Sequence, residues 1–434
     1  MLKIKYITHA CLYITINKIK ILVDPWLNGP SWGGNIWHFP KNLIQIKNLK
    51  KPDIIFFSHG HDDHFHKPTI NQMPKSWKQR CKVITADFGP NNKWWIDEIK
   101  KVGFKNIQFL VNQQNLKMNN NSSLTLIIND RGETDSSLII NYKKKKILLQ
   151  TDNIMSKNEA KKIRKKNKID VLFAMPFMTG AFPAFYRLKP IDSEKMIKGS
   201  QLKKIRALKY STDITKIINP KFVIPYASDI GYMGENFYAN FISSQNKNDF
   251  KEFIKKRKIK SKVKIMTPGD YLQLKNNYWK FKITNYEYSN EIIKKFYYEN
   301  IDRFDLEQEQ EKKYIKPVIN KLAKIFTKKL NNHFYKNNPK IKFDVVFKIK
   351  ENQNKIIEFK LKKNNISSKY LKKINNNNDL IIELDSYRLR RMLHGDYPMQ
   401  FLTFHNGGYH CTRNTIELTE REKKFWEWIN FFTL

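Results

Sequence analysis

The stretch "FFSHGHDDHFH", residues 56–66, places four histidines and two aspartates in eleven positions behind an apolar run. Residues 53–59, "DIIFFSH", have the short apolar character of a buried strand whose tip delivers side chains into a loop. The spacing within the loop is His59-Gly-His61-Asp-Asp63-His64, or H-x-H-x-D-H. A chain leaving a strand into a tight loop turns those four side chains toward one point. Neutral imidazoles suit zinc or ferrous iron, and a carboxylate extends the set to a harder ion. Asp62 and His66 fall outside that spacing, and His66 is expected on the loop surface. After His66 there is no histidine before His333, so what completes the site is the open question.

Around this segment, residues 1–275 read as β-strands mixed with helices. "IKYITHACLYITI" alternates apolar and polar residues and pairs with "KIKILVDPW" as a hairpin. Further strands are expected at "KVITAD", "SLTLIIND", "SSLIINYK", "KKILLQTD", "DVLFAMPF" and "KFVIPYAS". Helices fit "NNKWWIDEIKKVG", "SKNEAKKIRKKN" and the long run from Ser193 to Asn219, which stops before Pro220. Gly269, in "MTPGDYLQL", closes the region. Residues 286–434 differ in texture. A helical stretch near 288–336 precedes "KFDVVFKIK" and "KIIEFKLKK", and a final amphipathic helix carries Phe425, Trp426 and Trp428. This is expected to be a smaller α/β module of unassigned role. His394, His405 and His410 within it lack ligand spacing.

The 434 residues carry a formal net charge of +41. Lysine is spread along the whole chain beside abundant asparagine and isoleucine, which reads as compositional drift rather than a nucleic-acid surface. No zinc-finger, Rossmann or phosphate-loop glycine pattern is present. No run approaches the ~20 apolar residues of a membrane span. The N-terminus lacks the apolar block of a signal peptide. Cys11, Cys81 and Cys411 form no C-x-x-C pair, which fits a reducing, cytoplasmic setting.

The H-x-H-x-D-H spacing resembles the signature of the metallo-β-lactamase superfamily. The wider pattern "YITHACLYITI…ILVDPWLNGPSW", "IIFFSHGHDDHFHKPTI", "DSSLIINYKKKKILLQTDN" and "KIINPKFVIPYASD" resembles the CMP-N-acetylneuraminate hydroxylase group within it. The resemblance implies an α/β (α+β) fold, an αββα sandwich with metals at one edge. It implies His59 and His61 on a first metal, Asp63 and His64 on a second, and Asp152 of "LLQTDN" bridging, with Asp63 or Asp152 orienting water. It implies one or two divalent ions, zinc first, with iron or manganese as alternatives. His9 of "THAC" falls near the metal edge as a substrate contact. Asp24 of "VDPW" reads as a turn residue.

Two departures from the pattern matter. The hydroxylase group carries a Rieske iron–sulfur domain, and Cys11, Cys81 and Cys411 do not supply its two-Cys, two-His set. An oxygenase reading therefore calls for a separate Rieske or ferredoxin protein. The family's third histidine, expected before "DSSLII", is missing from "NDRGETDSS", where Asp130 and Arg131 stand near the place; the late histidine expected near "VIPYASD" is missing too. Arg131, and Arg187 of "MTGAFPAFYRL", are candidate forks for an anionic substrate. The resulting expectation is a metal-dependent hydrolase acting on an anionic small molecule such as a nucleotide sugar or sugar acid. The alternatives are a hydroxylase-like oxygenase component, a nucleic-acid-processing member of the same fold, and a non-catalytic metal-binding protein.

Overall fold

The strand that carries the histidines is Ile54–Phe56, and all three residues are buried. It lies between Ile19–Val23 and Lys82–Ala86, parallel to both. A strand in that position is covered on two faces, which is why it reads as an unbroken apolar run. Ile54 and Phe56 point to one core; Ile55 and Phe57 point to another.

The computed structural model describes residues 1–32, 36–89, 93–177, 186–188, 193–234, 237–242, 246–337, 341–362, 365–374, 378–393, 409–413 and 419–429. Among these, one sheet of eight strands runs from Tyr278–Lys282 and Tyr271–Lys275 through the three N-terminal strands to Ile54–Phe56, Lys82–Ala86 and Asn106–Leu110. A second, of seven, runs from Lys262–Val263 through Phe222–Pro225, Val171–Ala174, Lys145–Leu149, Ser136–Tyr142 and Ser122–Ile128 to Asn115–Asn119. The core between the sheets holds Ile4, Ile14, Ile21 and Phe56 from the first, and Leu126, Ile140, Leu149 and Phe173 from the second. Alternate residues face outward. Ile55 and Val83 pack with Trp77, Trp95 and Ile99 of the helices on the first sheet. Leu148, Leu172 and Val223 pack with Ile163, Ile214 and Phe250 of the helices on the second. The period-two burial of both sheets thus produces helix, sheet, sheet, helix.

A third sheet of six described strands lies beyond this sandwich, in the order Tyr186–Leu188, Tyr409–Arg413, Leu380–Asp385, Phe343–Lys350, Lys355–Lys362, Asn365–Leu371. Phe343, Val345 and Phe347 pack on one of its faces against Leu322, Phe326 and Leu330 of the helix Ile319–Asn337. The expected helical stretch near 288–336 is three helices, Asn290–Tyr298, Ile301–Lys312 and Ile319–Asn337. Two connections join this module to the sandwich. Tyr186–Leu188, inserted after Val171–Ala174, runs parallel to Tyr409–Arg413. Trp26, Trp32 and Ile36 belong to the same apolar cluster as Phe343 and Phe425. The first sheet also continues past Lys275 to Tyr278–Lys282.

Candidate metal centre

The tip of Ile54–Phe56 meets the ends of Leu2–Thr8, Ile19–Val23, Ser136–Tyr142 and Lys145–Leu149 at one edge of the sandwich. His9, Asp24, Trp32, Thr151 and Ala227, on loops leaving that edge, all take positive φ between 39° and 55°. For residues other than glycine that conformation costs roughly 1–2 kcal/mol each, and its concentration here is the pattern of a functional edge.

Asp24 and Ser58 organise the histidines. The Ser58 N–H donates to Asp24 Oδ1 at 2.8 Å, and the Ser58 hydroxyl donates to Asp24 Oδ2 at 2.7 Å. The second oxygen also receives His64 Nδ1 at 2.9 Å, and His59 Nδ1 lies 2.9 Å from Ser58 Oγ. Committing both Nδ1 protons inward leaves both Nε2 atoms as bare ligands, the outer-shell arrangement that fixes a metal-binding imidazole. Asp24 is therefore more than a turn residue: it is fully buried and holds two histidines in register. Asp24→Asn would present an amide donor to His64 and reverse its tautomer. The expected result is about a ten- to hundredfold loss of metal affinity with the fold retained, read by titration with a competing chelator.

Beyond the bare nitrogens lie carboxylates. His64 Nε2 is buried without a well-aligned hydrogen bond, 3.3 Å from Asp152 Oδ1 and 3.9 Å from Asp63 Oδ2. His59 Nε2 is 2.8 Å from His61 Nδ1 and 3.7 Å from Asp135 Oδ1. Three sets have ligand atoms close enough to share an ion: His59, His61 and Asp135; His59, His64 and Asp152; His9, Asp63 and His64. The structure thus brings together all five expected ligands, His59, His61, Asp63, His64 and Asp152, and adds two. Asp135 is the first residue of "DSSLII", one step beyond where a substitute for the missing histidine was sought. His9 places Nε2 3.2 Å from Asp63 Oδ2, among the candidate ligands rather than out in a substrate pocket. Asp63 is held from its other side by Trp32 Nε1 at 3.0 Å.

The charges suit a cation. Burial, and then His64 and His61, push the His59 pKa well below the usual imidazole value. Burial also lowers His61. For His64 burial acts the same way, yet Asp152, Asp63 and Asp24 outweigh it and hold the pKa well above the usual value. Burial, reinforced by Asp152 and Glu133, raises Asp135 well above the carboxylate range. The clustered carboxylates that raise His64 and Asp135 are the charges a bound cation would offset.

The remaining candidates stand elsewhere. Asp130 accepts from the Ser156 N–H at 2.7 Å and from its hydroxyl, at the start of the helix Lys157–Lys166. Arg131 is exposed beside Asp130 and Tyr210, with its N–H donated to Asn129 Oδ1. Arg131→Ala is therefore expected to leave metal content unchanged; a lowered stoichiometry on elemental analysis would count against this placement. The Arg187 side chain, His394, His405 and the His410 side chain lie outside the described residues. His66 is not on the surface: it is buried and caps the helix Lys67–Asn71, accepting from Thr69 N–H, with Nε2 3.1 Å from the Pro30 carbonyl. Asp62 accepts from Ser31 Oγ and from the Trp32 N–H.

Residues 3–174, which contain this whole constellation, match the family model of the beta-lactamase superfamily domain. Relatives of the chain include the cytidine monophosphate-N-acetylneuraminic acid hydroxylases of Danio rerio, 29% identical over 62% of this chain and 45% of the relative, and of Mus musculus, 28% identical over 57% and 42%. The Homo sapiens relative, named as an inactive hydroxylase, is 26% identical over 61% of this chain and 52% of its own. The chain thus spans about half the length of these relatives. Solved structures similar to it include CmlA, a diiron beta-hydroxylase from Streptomyces venezuelae, at 14% identity and TM-score 0.42, covering 62% of this chain and 53% of that one. An isothiocyanate hydrolase from Delia radicum gut bacteria gives 15% identity and TM-score 0.42, covering 62% and 98%. The matched region ends at the strand Val171–Ala174, one strand past Asp152. Among the described residues no helix is long and apolar enough to cross a membrane.

Proposed function

We propose that this chain is a metal-dependent hydrolase of an anionic small molecule, of the nucleotide-sugar or sugar-acid class, acting in the reducing cytoplasm. The observation that carries the reading is the pair of buried imidazoles, His59 and His64, whose Nδ1 atoms are engaged by Ser58 and Asp24 and whose Nε2 atoms face Asp135 and Asp152. That donor set fits one or two divalent ions, with zinc first and iron or manganese compatible with the same mixture of nitrogen and carboxylate. His59, His61 and Asp135 would hold one ion; a second would lie against His64, either with His59 and Asp152 or with His9 and Asp63. A bound divalent ion supplies Lewis-acid chemistry and lowers the pKa of water to about 7. Asp152 keeps about a quarter of its side chain open, so it is placed to orient an incoming water or substrate proton. Asp63 is held by His9 and Trp32 and serves to keep the floor of the site fixed.

A second reading is favoured by the named hydroxylase relatives: an oxygenase component with iron at the same residues and electrons from a separate Rieske or ferredoxin protein. The presence of a relative named inactive at comparable identity means that similarity alone does not select either activity. One experiment separates the two. Purified chain, assayed for metal, is incubated with a CMP-linked sugar acid with and without oxygen, reductant and ferredoxin. Turnover that needs neither oxygen nor reductant supports hydrolysis. Turnover that requires both supports the oxygenase reading and overturns the hydrolase.

A further inference from the structure

Behind the edge where the ligands gather lies a buried ion pair that contains none of them. Lys247, 1% exposed, places Nζ 2.6 Å from Oδ1 of the fully buried Asp229. Lys247 is also the first residue of the helix Lys247–Lys256, the end at which the helix dipole disfavours a cation. Stability is a weak reason for such a pair, since exchanging buried ions for apolar side chains is often neutral or better. Its contacts give it a directional task instead.

An ammonium has three protons and no acceptor. Lys247 directs them to Asp229 Oδ1, to the Met266 carbonyl at 2.7 Å and to the Tyr6 hydroxyl oxygen at 3.0 Å. Asp229 is itself held, because the Tyr288 hydroxyl donates to its Oδ1 at 3.3 Å and the Phe39 N–H donates to its carbonyl at 3.2 Å. Tyr6 is fully buried; burial, and then Asp229, hold its pKa well above the usual phenol value, so the oxygen keeps its one proton. With Lys247 donating to that oxygen, the Tyr6 proton goes to the His9 carbonyl, 2.9 Å away. Without the cation the proton has a stronger acceptor at hand, since Asp229 lies beside the same hydroxyl and its Oδ2 is buried with no partner.

His9 needs such a hold. It is the first of the two residues that join Leu2–Thr8 to Cys11–Ile16, and its φ of 43° is one that glycine adopts most readily. Its carbonyl accepts twice, from Tyr6 and from the Ala227 N–H at 3.1 Å. A strained residue persists where its surroundings over-determine it. The His9 ring places Nε2 3.2 Å from Asp63 Oδ2, and since a carboxylate accepts, Nε2 donates.

We propose that Tyr6, Lys247 and Asp229 are positioning residues for the metal centre: Lys247, fixed by Asp229, turns the Tyr6 hydroxyl onto the His9 carbonyl and so holds the His9 ring against Asp63. The inference rests on the metal-dependent reading only where bound metal is the readout.

The test uses two variants of the full chain. Tyr6→Phe deletes one oxygen and leaves the ion pair. Lys247→Met with Asp229→Asn removes both charges together, so that no buried ion is left uncompensated. The first readout is nitrogen-15 resonance of the histidine rings in chelator-treated protein. The unaltered chain should show a protected Nε2–H signal from His9, assigned by its absence in His9→Gln. Both variants should lose it, while the Nδ1–H signal of His64, held by Asp24, stays. The second readout is titration with cobalt(II), for which both variants should bind roughly tenfold more weakly. Phe250→Leu, in the core beneath the same helix, lowers stability without touching the network and should change neither readout. If the paired variant does not fold, Tyr6→Phe still decides. If the unaltered chain takes up no metal, the metal-dependent reading fails and the ring signal alone decides this one. The proposal is overturned by a missing His9 signal in the unaltered chain, by a signal that survives in either variant, by unchanged cobalt affinity in either, or by equal losses in Phe250→Leu.

Discussion

The double substitution His59→Ala, His61→Ala is expected to strip the chain of nearly all its bound metal while leaving it folded. A divalent ion in a protein site is held by roughly 10–16 kcal/mol over about four ligands, so each ligand accounts for roughly 3 kcal/mol, or about a hundredfold in affinity. Two deletions therefore move the site out of the range in which metal survives purification. His59 carries the larger share, because its Nε2 is common to two of the three ligand sets and its Nδ1 is anchored on Ser58. The fold is expected to persist, since both residues lie beyond the buried strand Ile54–Phe56 rather than within it. Elemental analysis and a melting curve on the same preparation check both halves. Full metal content in the double variant would remove these histidines from the site.

Ending the chain after Lys282 is expected to cost more than the loss of a peripheral module. Trp26, Trp32, Ile36 and Tyr232 are buried in one apolar cluster with Phe343, Phe347 and Phe425. Each large side chain returned to water costs up to about 1.5–3 kcal/mol. Four of them approach the roughly 5–15 kcal/mol that stabilises a whole domain. The site would feel the loss directly, because Trp32 Nε1 donates to Asp63 Oδ1 and Trp26 packs on His9. The expected outcome is aggregation, or a soluble chain with a lower melting temperature and weakened metal binding. A shortened chain that matches the full one in both would show that the module does not support the edge where the ligands gather.

Much of the sandwich was legible because its central strands obey simple periodicities. Ile54–Phe56 is buried on two faces and reads as a continuous apolar run; Ser122–Ile128 and Leu2–Thr8 alternate. The edges were harder. Asn115–Asn119 and Tyr278–Lys282 have little buried on them, so nothing in their composition separates a half-exposed strand from a loop. The pairing of Tyr186–Leu188 with Tyr409–Arg413 joins distant parts of the chain, and no local pattern signals it.

The site divides in the same way. The H-x-H-x-D-H spacing announces itself, since the ligands share one loop. Asp135 did not, although it opens the quoted run "DSSLII": a search for a histidine passes over an aspartate that has the right place and different chemistry. Asp24 was visible only as a turn residue because its partners, Ser58 and His64, are remote in sequence. His66 misled in the opposite direction. Its position in a histidine-rich loop suggested solvent, whereas Pro68 just inside the following helix was the available sign of an N-cap.

The most direct test is anomalous diffraction from crystals of the metal-loaded chain, recorded at the absorption edge of the metal found by elemental analysis. The predicted result is a peak about 2.0–2.2 Å from at least one of His59 Nε2 and His64 Nε2, with Asp135 or Asp152 completing its coordination. A crystal with full metal content whose anomalous peak lies away from all of these residues would contradict the account.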